Sequence, residues 1–253
     1  MTLLFAGDPH RNFSPILRAC LALPPSTLIL LGDLDCPRPL VQEFAGVMEK
    51  GWDVRWILGN HDCETATAYD NLVTSHPKGD LGLRVTELDG LRVAGLPGVF
   101  KPSVWYPRSD DGSERIEPPR HHGRAGFLAA QPKARWWRGG LPLWHRDTIF
   151  PEDVERLATQ RFDILVTHEA PSCHRHGFAV IDQLAVAGGA RWIVHGHHHE
   201  SYAAILPGQE IPSQEIPGQK IPGQKIPGQK IMVRGLGLAE TWEMPLSPLH
   251  GGQ

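Results

Sequence analysis

Short apolar runs, each ending abruptly in polar residues, recur along this chain and set its expected architecture. Leu3-Leu4-Phe5-Ala6 leads into Asp8-Pro9-His10, Leu28-Ile29-Leu30-Leu31 into Gly32-Asp33-Leu34-Asp35, and Trp56-Ile57-Leu58 into Gly59-Asn60-His61-Asp62. Farther on, Ile164-Leu165-Val166 leads into Thr167-His168-Glu169, and Trp192-Ile193-Val194 into His195-Gly196-His197-His198-His199. Such runs read as buried strands whose C-terminal ends open onto loops. Residues 15–23 and 39–50 read as helices between them, the second with Phe44, Val47 and Met48 on a plausible buried face. Residues 151–161 read as a helix with Pro near its start and acids in its first turn. Residues 91–94, 202–205 and 231–234 read as further strands, the last two as successive strands of a second sheet. The expected class is α/β.

In open α/β sheets, ligands sit beyond the C-terminal ends of the strands. Five such ends bring at least three carboxylates, an amide oxygen and several imidazoles to one edge. Imidazoles and carboxylates without thiolates suit Mn, Fe or Zn. The pattern therefore implies a metal site with more than one ion.

The order and spacing of these blocks resemble the calcineurin-like metallophosphoesterase superfamily, whose pattern is D-x-H, G-D-x-x-D, G-N-H-[DE], a lone His and G-H-x-H. All five blocks occur here in order, from Asp8 to His199. The resemblance implies a two-sheet βαββ sandwich flanked by helices. It implies one metal held by Asp8, His10, Asp33 and His199, and a second by Asp33, Asn60, His168 and His197, with Asp33 bridging. His61 would serve the leaving oxygen as a proton donor or contact the phosphate, and Asp62 would orient His61. The implied reaction is hydrolysis of a phosphate mono- or diester by metal-bound hydroxide. Two divalent ions (Mn, Fe or Zn, with Mn favoured) about 3.5–4 Å apart would clamp the phosphoryl oxygens.

Two departures from the pattern stand out. Cys36 occupies the last place of the G-D-x-x-D block, with Asp35 one place early, and Arg11 replaces the Gly that often follows D-x-H. Arg11 is read evenly as a contact to a substrate phosphate or as a solvated loop arginine. On an extended segment His197 and His199 point to one side and His198 to the other. His198 is thus expected behind the ligands or at the surface, His195 in a structural role, and His174 and His176 facing solvent.

At 253 residues and a net charge of −3, one domain spanning 1–253 is expected, and the chain as a whole is no polyelectrolyte partner for nucleic acid. Cys20, Cys36, Cys63 and Cys173 are scattered without a C-x-x-C pair, which fits a reducing compartment. Cys36 and Cys63 are expected to pack as small apolar residues. The sequence enters a strand at once, with no cleavage site and no run of membrane-spanning length, so a cytoplasmic location without membrane contact is expected.

Two segments exceed a minimal version of the implied fold. Residues 98–148 interleave Trp105, Tyr106, Trp136, Trp137 and Trp144 with basic residues including Lys101, Arg135, Arg138 and Arg146. The favoured reading is a surface excursion pinned by its tryptophans; the alternatives are a substrate-shaping lid or a platform for nucleic acid. Residues 206–230 form an array of five units of the form [I/L]-P-[G/S]-Q-[E/K], each suited to one type II turn. A tolerated repeat in a surface loop is preferred over a self-association arm. The leading functional expectation is a phosphoesterase acting on a small phosphorylated substrate. The alternatives are a catalytically silent scaffold of the same fold and a nuclease. The sequence does not give the oligomeric state.

Overall fold

The computed structural model describes residues 2–108, 117–206, 215–216, 219–220 and 230–244. In chain order the elements are β1 (Leu3–Ala6), α1 (Ser14–Ala22), β2 (Thr27–Leu30), α2 (Leu40–Glu43), α3 (Ala45–Met48), β3 (Asp53–Trp56) and α4 (Ala66–Tyr69). Next come β4 (Val85–Leu88), β5 (Leu91–Leu96), α5 (Arg124–Ala129), α6 (Pro151–Ala158), β6 (Ile164–Thr167), α7 (Ala179–Gly188) and β7 (Trp192–His195). The remainder are β8 (Tyr202–Leu206), β9 (Glu215–Ile216), β10 (Gln219–Lys220), β11 (Ile231–Gly235) and β12 (Thr241–Glu243).

Two main sheets are built from these strands. One runs β12-β1-β2-β3 and the other β4-β5-β6-β7-β11-β8. The strands that precede the polar blocks are parallel within each sheet, β1 to β2 to β3 and β5 to β6 to β7 to β11. Parallel strands joined by helical crossovers have both faces covered, which is why their sequences are continuously apolar rather than alternating.

Alternate side chains of one strand enter different layers. Leu3 and Phe5 of β1 meet Val93, Ile164, Val166 and Val194 of the other sheet in a core between the sheets. Leu4 and Ala6 turn the other way, into a layer with Ile16, Cys20, Leu40, Phe44 and Val47 of the α1–α3 segment. On the far side, Leu165 and Ile193 pack with Val154 and Leu157 of α6 and Ile181 and Leu184 of α7. The result is an α/β/β/α sandwich, mixed α/β with two sheets flanked by helices, as expected.

The expected helix over 39–50 is two short helices instead. Phe44, at φ −105° and ψ 11°, separates α2 from α3, and Gly46 adds a poor helix former just beyond. The break turns the Phe44 ring into the core, with its centroid 5.3 Å from that of Phe13. α6 is as expected: Pro151 opens it, and the Asp153 carboxylate accepts the N–H of Phe150 at 2.9 Å.

The 98–148 excursion is pinned where its aromatic residues reach the core. Phe100, Trp105 and Phe127 join the α6–α7 layer, and the Trp137 ring lies edge-on to Tyr69 at 5.0 Å. Arg138 forms a two-bond fork with Asp70 at 2.6 and 2.8 Å. Arg146 donates to the Tyr69 hydroxyl and to the Trp137 carbonyl, both at 3.2 Å. Trp144 departs from the pinning reading, being 54% exposed. Residues 109–116 lie outside the described residues.

Most of the pentapeptide array likewise lies outside the described residues, apart from the antiparallel pair β9–β10. Its two ends are well placed, since Leu206 and Ile231 are directly paired partners on antiparallel β8 and β11. Among the described residues no helix is long and apolar enough to cross a membrane. Because a hairpin turn can join the paired ends and loop length carries little entropic cost, replacing residues 207–230 with Asn-Gly should leave the fold intact. The expected outcome is a melting temperature within a few degrees of the parent. A collapse of cooperative unfolding would show that the array supports the sandwich.

Candidate metal centre

The parallel strands deliver their polar blocks to one edge. Asp8 lies beyond β1, Asp33 beyond β2, Asn60 and His61 beyond β3, His168 beyond β6, and His197 and His199 beyond β7. Hydrogen bonds then tie these loops to one another. Both carboxylate oxygens of buried Asp8 accept the N–H of His197, at 2.9 and 3.0 Å. Oδ1 of Asp33 accepts the N–H of His61 at 2.8 Å.

Several lone-pair atoms converge within these ties. Nδ1 of His168 lies 2.8 Å from the Leu31 carbonyl, a bond that only an Nδ1–H can make. That tautomer leaves Nε2 with its lone pair, 3.3 Å from Oδ2 of Asp33 and 3.2 Å from Oδ1 of Asn60. Nε2 of His10 lies 3.1 Å from Nε2 of His199 and 3.8 Å from Oδ2 of Asp33. Ligand atoms of Asp8, His10 and His199 fall within 4.8 Å of one another, and so do those of Asp33, His168 and His197. Asp33 also forms such a group with His10 and His61. Ions with bonds of about 2.1 Å need neighbouring donors about 3.0–3.4 Å apart, so the donor set fits divalent cations on both sides of Asp33.

Electrostatics point the same way. Burial pushes the Asp8 carboxyl up to about 7 and that of Asp62 likewise to about 7. Burial also works against the charge of Asp33 and His168, but their mutual attraction outweighs it and holds Asp33 low and His168 high. Burial lowers the His197 imidazole to about 3, which keeps that ring neutral and free to ligate. The negative potential that draws a proton onto His168 is the potential a cation would experience.

Backbone strain is concentrated at the same residues. His10, Arg11, Asp33, Asp35, His197 and His199 all have positive φ, between 39° and 71°. Residues other than Gly rarely adopt this region unless their surroundings impose it, and such strain clusters at functional sites. Gly59 is required by space: a Cβ there would collide with Oδ1 of Asp33 and with its backbone nitrogen.

The structure reassigns some residues. Asp62 does not orient His61. Its fully buried carboxylate accepts N–H bonds from Gly59 at 2.8 Å, Asp33 at 3.0 Å, and Leu34 and Asp35 at 2.9 Å each. The partner of His61 Nδ1 is Glu64, at 2.9 Å. Glu64 was legible only as an i, i+3 neighbour of His61, which a short turn brings alongside it. Arg11 is forked onto Asp35 and largely exposed, so the carboxylate one place early is its partner. Cys36 and Cys63 are buried, and burial pushes both thiols up.

Among the remaining histidines, His195 is buried, with Nε2 2.7 Å from the Tyr202 hydroxyl. His174 is buried rather than solvent-facing, because its ring stacks on His198 at 4.1 Å and on Tyr202 at 5.8 Å. His176 is exposed.

A family model described as calcineurin-like phosphoesterase matches residues 1–201. A relative from Haemophilus influenzae, described as an uncharacterized protein, is 37% identical over 201 residues, which cover 79% of this chain and 84% of that one. Among solved structures, the crystal structure of TT1561 of Thermus thermophilus superposes with a TM-score of 0.50 at 12% identity, covering 94% of this chain and 89% of that chain. This last likeness is one of fold.

Replacing Asp62 by Ala strands four N–H groups that bind a charged acceptor. Each such loss carries a sizeable penalty, so Asp62→Ala should lower unfolding stability by about 3 kcal/mol or more. Denaturant titration of the variant would measure this. A loss below about 1 kcal/mol would mean that water replaces the carboxylate freely.

Proposed function

Since the chain belongs to the calcineurin-like phosphoesterase family, we propose that it hydrolyses a phosphate mono- or diester with two divalent ions, of which Mn²⁺ is the favoured choice. The observation that carries this reading is the position of Asp33, shared between a group with His10 and His61 and a group with His168 and His197. Asp8, His10, Asp33 and His199 would hold one ion, and Asp33, Asn60, His168 and His197 the other. When bound, such a pair supplies Lewis acidity and makes water nucleophilic at neutral pH.

The protein's own side chains do the rest. His61 lies beside the pair, with its ring 4.9 Å from that of His10. Oε1 of Glu64 lies 2.9 Å from Nδ1 of His61, a contact that would orient the ring. His61 would then protonate the departing oxygen. Asp62 acts through the loops, as the anchor that sets Asp33 and Gly59 in place, not as a catalytic group. Arg11 is held by Asp35 at the exposed rim, where a substrate phosphate could exchange for that partner.

A small substrate is favoured over nucleic acid because three basic side chains of the excursion are engaged within the fold. Arg138 is committed to Asp70, and Arg124 to Glu152 and Asp153. Arg146 is held against Tyr69 and Trp137.

The test is hydrolysis of bis-p-nitrophenyl phosphate and p-nitrophenyl phosphate by metal-stripped protein reloaded with Mn²⁺. Asp33→Asn should abolish turnover. His61→Ala should cost about 10²–10⁴-fold with an alkyl leaving group, which needs a proton. The same variant should lose much less with p-nitrophenolate, which leaves readily as an anion. An equal loss on both leaving groups would remove His61 as the proton donor. Absence of turnover with two ions still bound per chain would favour a non-catalytic scaffold.

A further inference from the structure

The pair of ions leaves one cluster unused: Glu169, His197 and His198, whose ligand atoms also lie within 4.8 Å of one another. We propose that these three side chains form a further divalent-cation site, adjoining the Asp33-centred pair and sharing His197 with it. The proposal rests on the metal reading of that pair.

Glu169 follows His168 directly and is buried. Its Oε1 accepts the N–H of Phe100 at 3.1 Å, and its carbonyl accepts the Thr167 hydroxyl at 2.6 Å, so both side chain and backbone are fixed. Its Oε2 lies 3.9 Å from Nε2 of His197. That is too long for a hydrogen bond, yet close to the ~3.4 Å edge of a tetrahedron built on ~2.1 Å bonds. Serving this site and the Asp33–His168 group at once would make His197 a bridging imidazolate, its one remaining ring proton released to solvent as the second ion binds.

His198 is held from behind. Its ring stacks on that of His174 at 4.1 Å with 20° between the planes. His174 is itself fixed by accepting the N–H of His176 at its Nδ1, at 3.2 Å. His198 Nε2 is buried and has no hydrogen-bond partner among the described residues. A ring clamped in orientation, with a nitrogen left unused, is prepared for a ligand rather than for solvent.

Two imidazoles and one carboxylate suit a late first-row divalent ion such as Zn²⁺. Three protein donors leave a fourth position open for water or a substrate oxygen.

The alternative is that Glu169 only orients His197, as carboxylates behind ligand histidines do. Zinc content separates the two. Metal-stripped full-length chain would be dialysed against Zn²⁺ and zinc per chain measured by atomic emission, with circular dichroism confirming that each variant is folded. The comparison variants are His198→Phe, which keeps the stacked ring but removes the nitrogens, and Glu169→Gln, which keeps an acceptor for Phe100. Three zinc ions in the parent and two in each variant are expected. An unchanged zinc count in both variants would overturn the site, and Glu169 would then be a positioning residue. Two ions in the parent that persist in His198→Phe would remove the third site and leave the pair standing. One ion in the parent that is lost in His198→Phe would support this site and remove the pair.

Discussion

The Asp62 carboxylate, enclosed between two loops, holds the polar edge of this sandwich in register. It accepts N–H bonds from Gly59, Asp33, Leu34 and Asp35, and so fastens the loop beyond β2 to the loop beyond β3. Peptide dipoles converging on a single anion make a nest that offsets part of the desolvation cost of burying it. Asp33 completes the connection, since its own Oδ1 accepts the N–H of His61. Asp62 thus fixes the backbone of Asp33, and Asp33 fixes that of His61. Gly59 follows from this arrangement, because any side chain there would strike the Asp33 carboxylate.

A second connection runs between the sheets. Asp8, at the end of β1 in one sheet, accepts the His197 N–H from beyond β7 in the other. Gly196 is tight against it, since a Cβ there would lie 2.6 Å from Oδ2 of Asp8. The positive φ values of His10, Asp33, His197 and His199 are the conformational consequence. Each loop must leave its strand and double back to turn a short side chain toward the common centre, and the left-handed region permits that reversal within one residue. The strain is offset by the rigid sheets on either side, whose shared core of Leu3, Phe5, Ile29, Val166 and Val194 keeps the strand ends from drifting apart.

This division explains what could be read in the chain beforehand. Strands buried on both faces leave an uninterrupted apolar run, so β1, β2, β6 and β7 were legible, as was the convergence of their C-terminal ends. α7 was not, because Val180, Ile181, Leu184 and Ala185 are all buried, and a helix buried on most of its surface loses the polar face that marks its period. The short edge strand β12 has only Trp242 to announce it and is defined by pairing with β1, a contact remote in sequence. The role of Asp62 escaped for a related reason. Motif order places it beside His61, whereas its partners are backbone N–H groups, which carry no sequence signature. The same limit hid the burial of His174, which depends on stacking against His198 and Tyr202 from other segments.

The electrostatic balance of the centre ties its chemistry to its stability. Asp8, Asp33 and Asp62 are all buried, and His168 is a positive partner that acts on all three. One imidazolium against three carboxylates leaves an excess of negative charge in a region from which water is excluded. Without cations, burial drives proton uptake at Asp8 and Asp62, and the charge of Asp33 adds to it. Divalent ions would relieve the excess charge more completely, and their binding would displace those protons, including the one that His168 Nε2 would otherwise carry. Ion binding to the folded chain would then stabilise it by mass action. The hydrogen bonds of Asp62 and Asp8 fix the loops in advance, so ions would meet donors that are already placed. In this protein the scaffold supplies geometry at the cost of uncompensated charge, and divalent ions would supply the charge that the geometry requires.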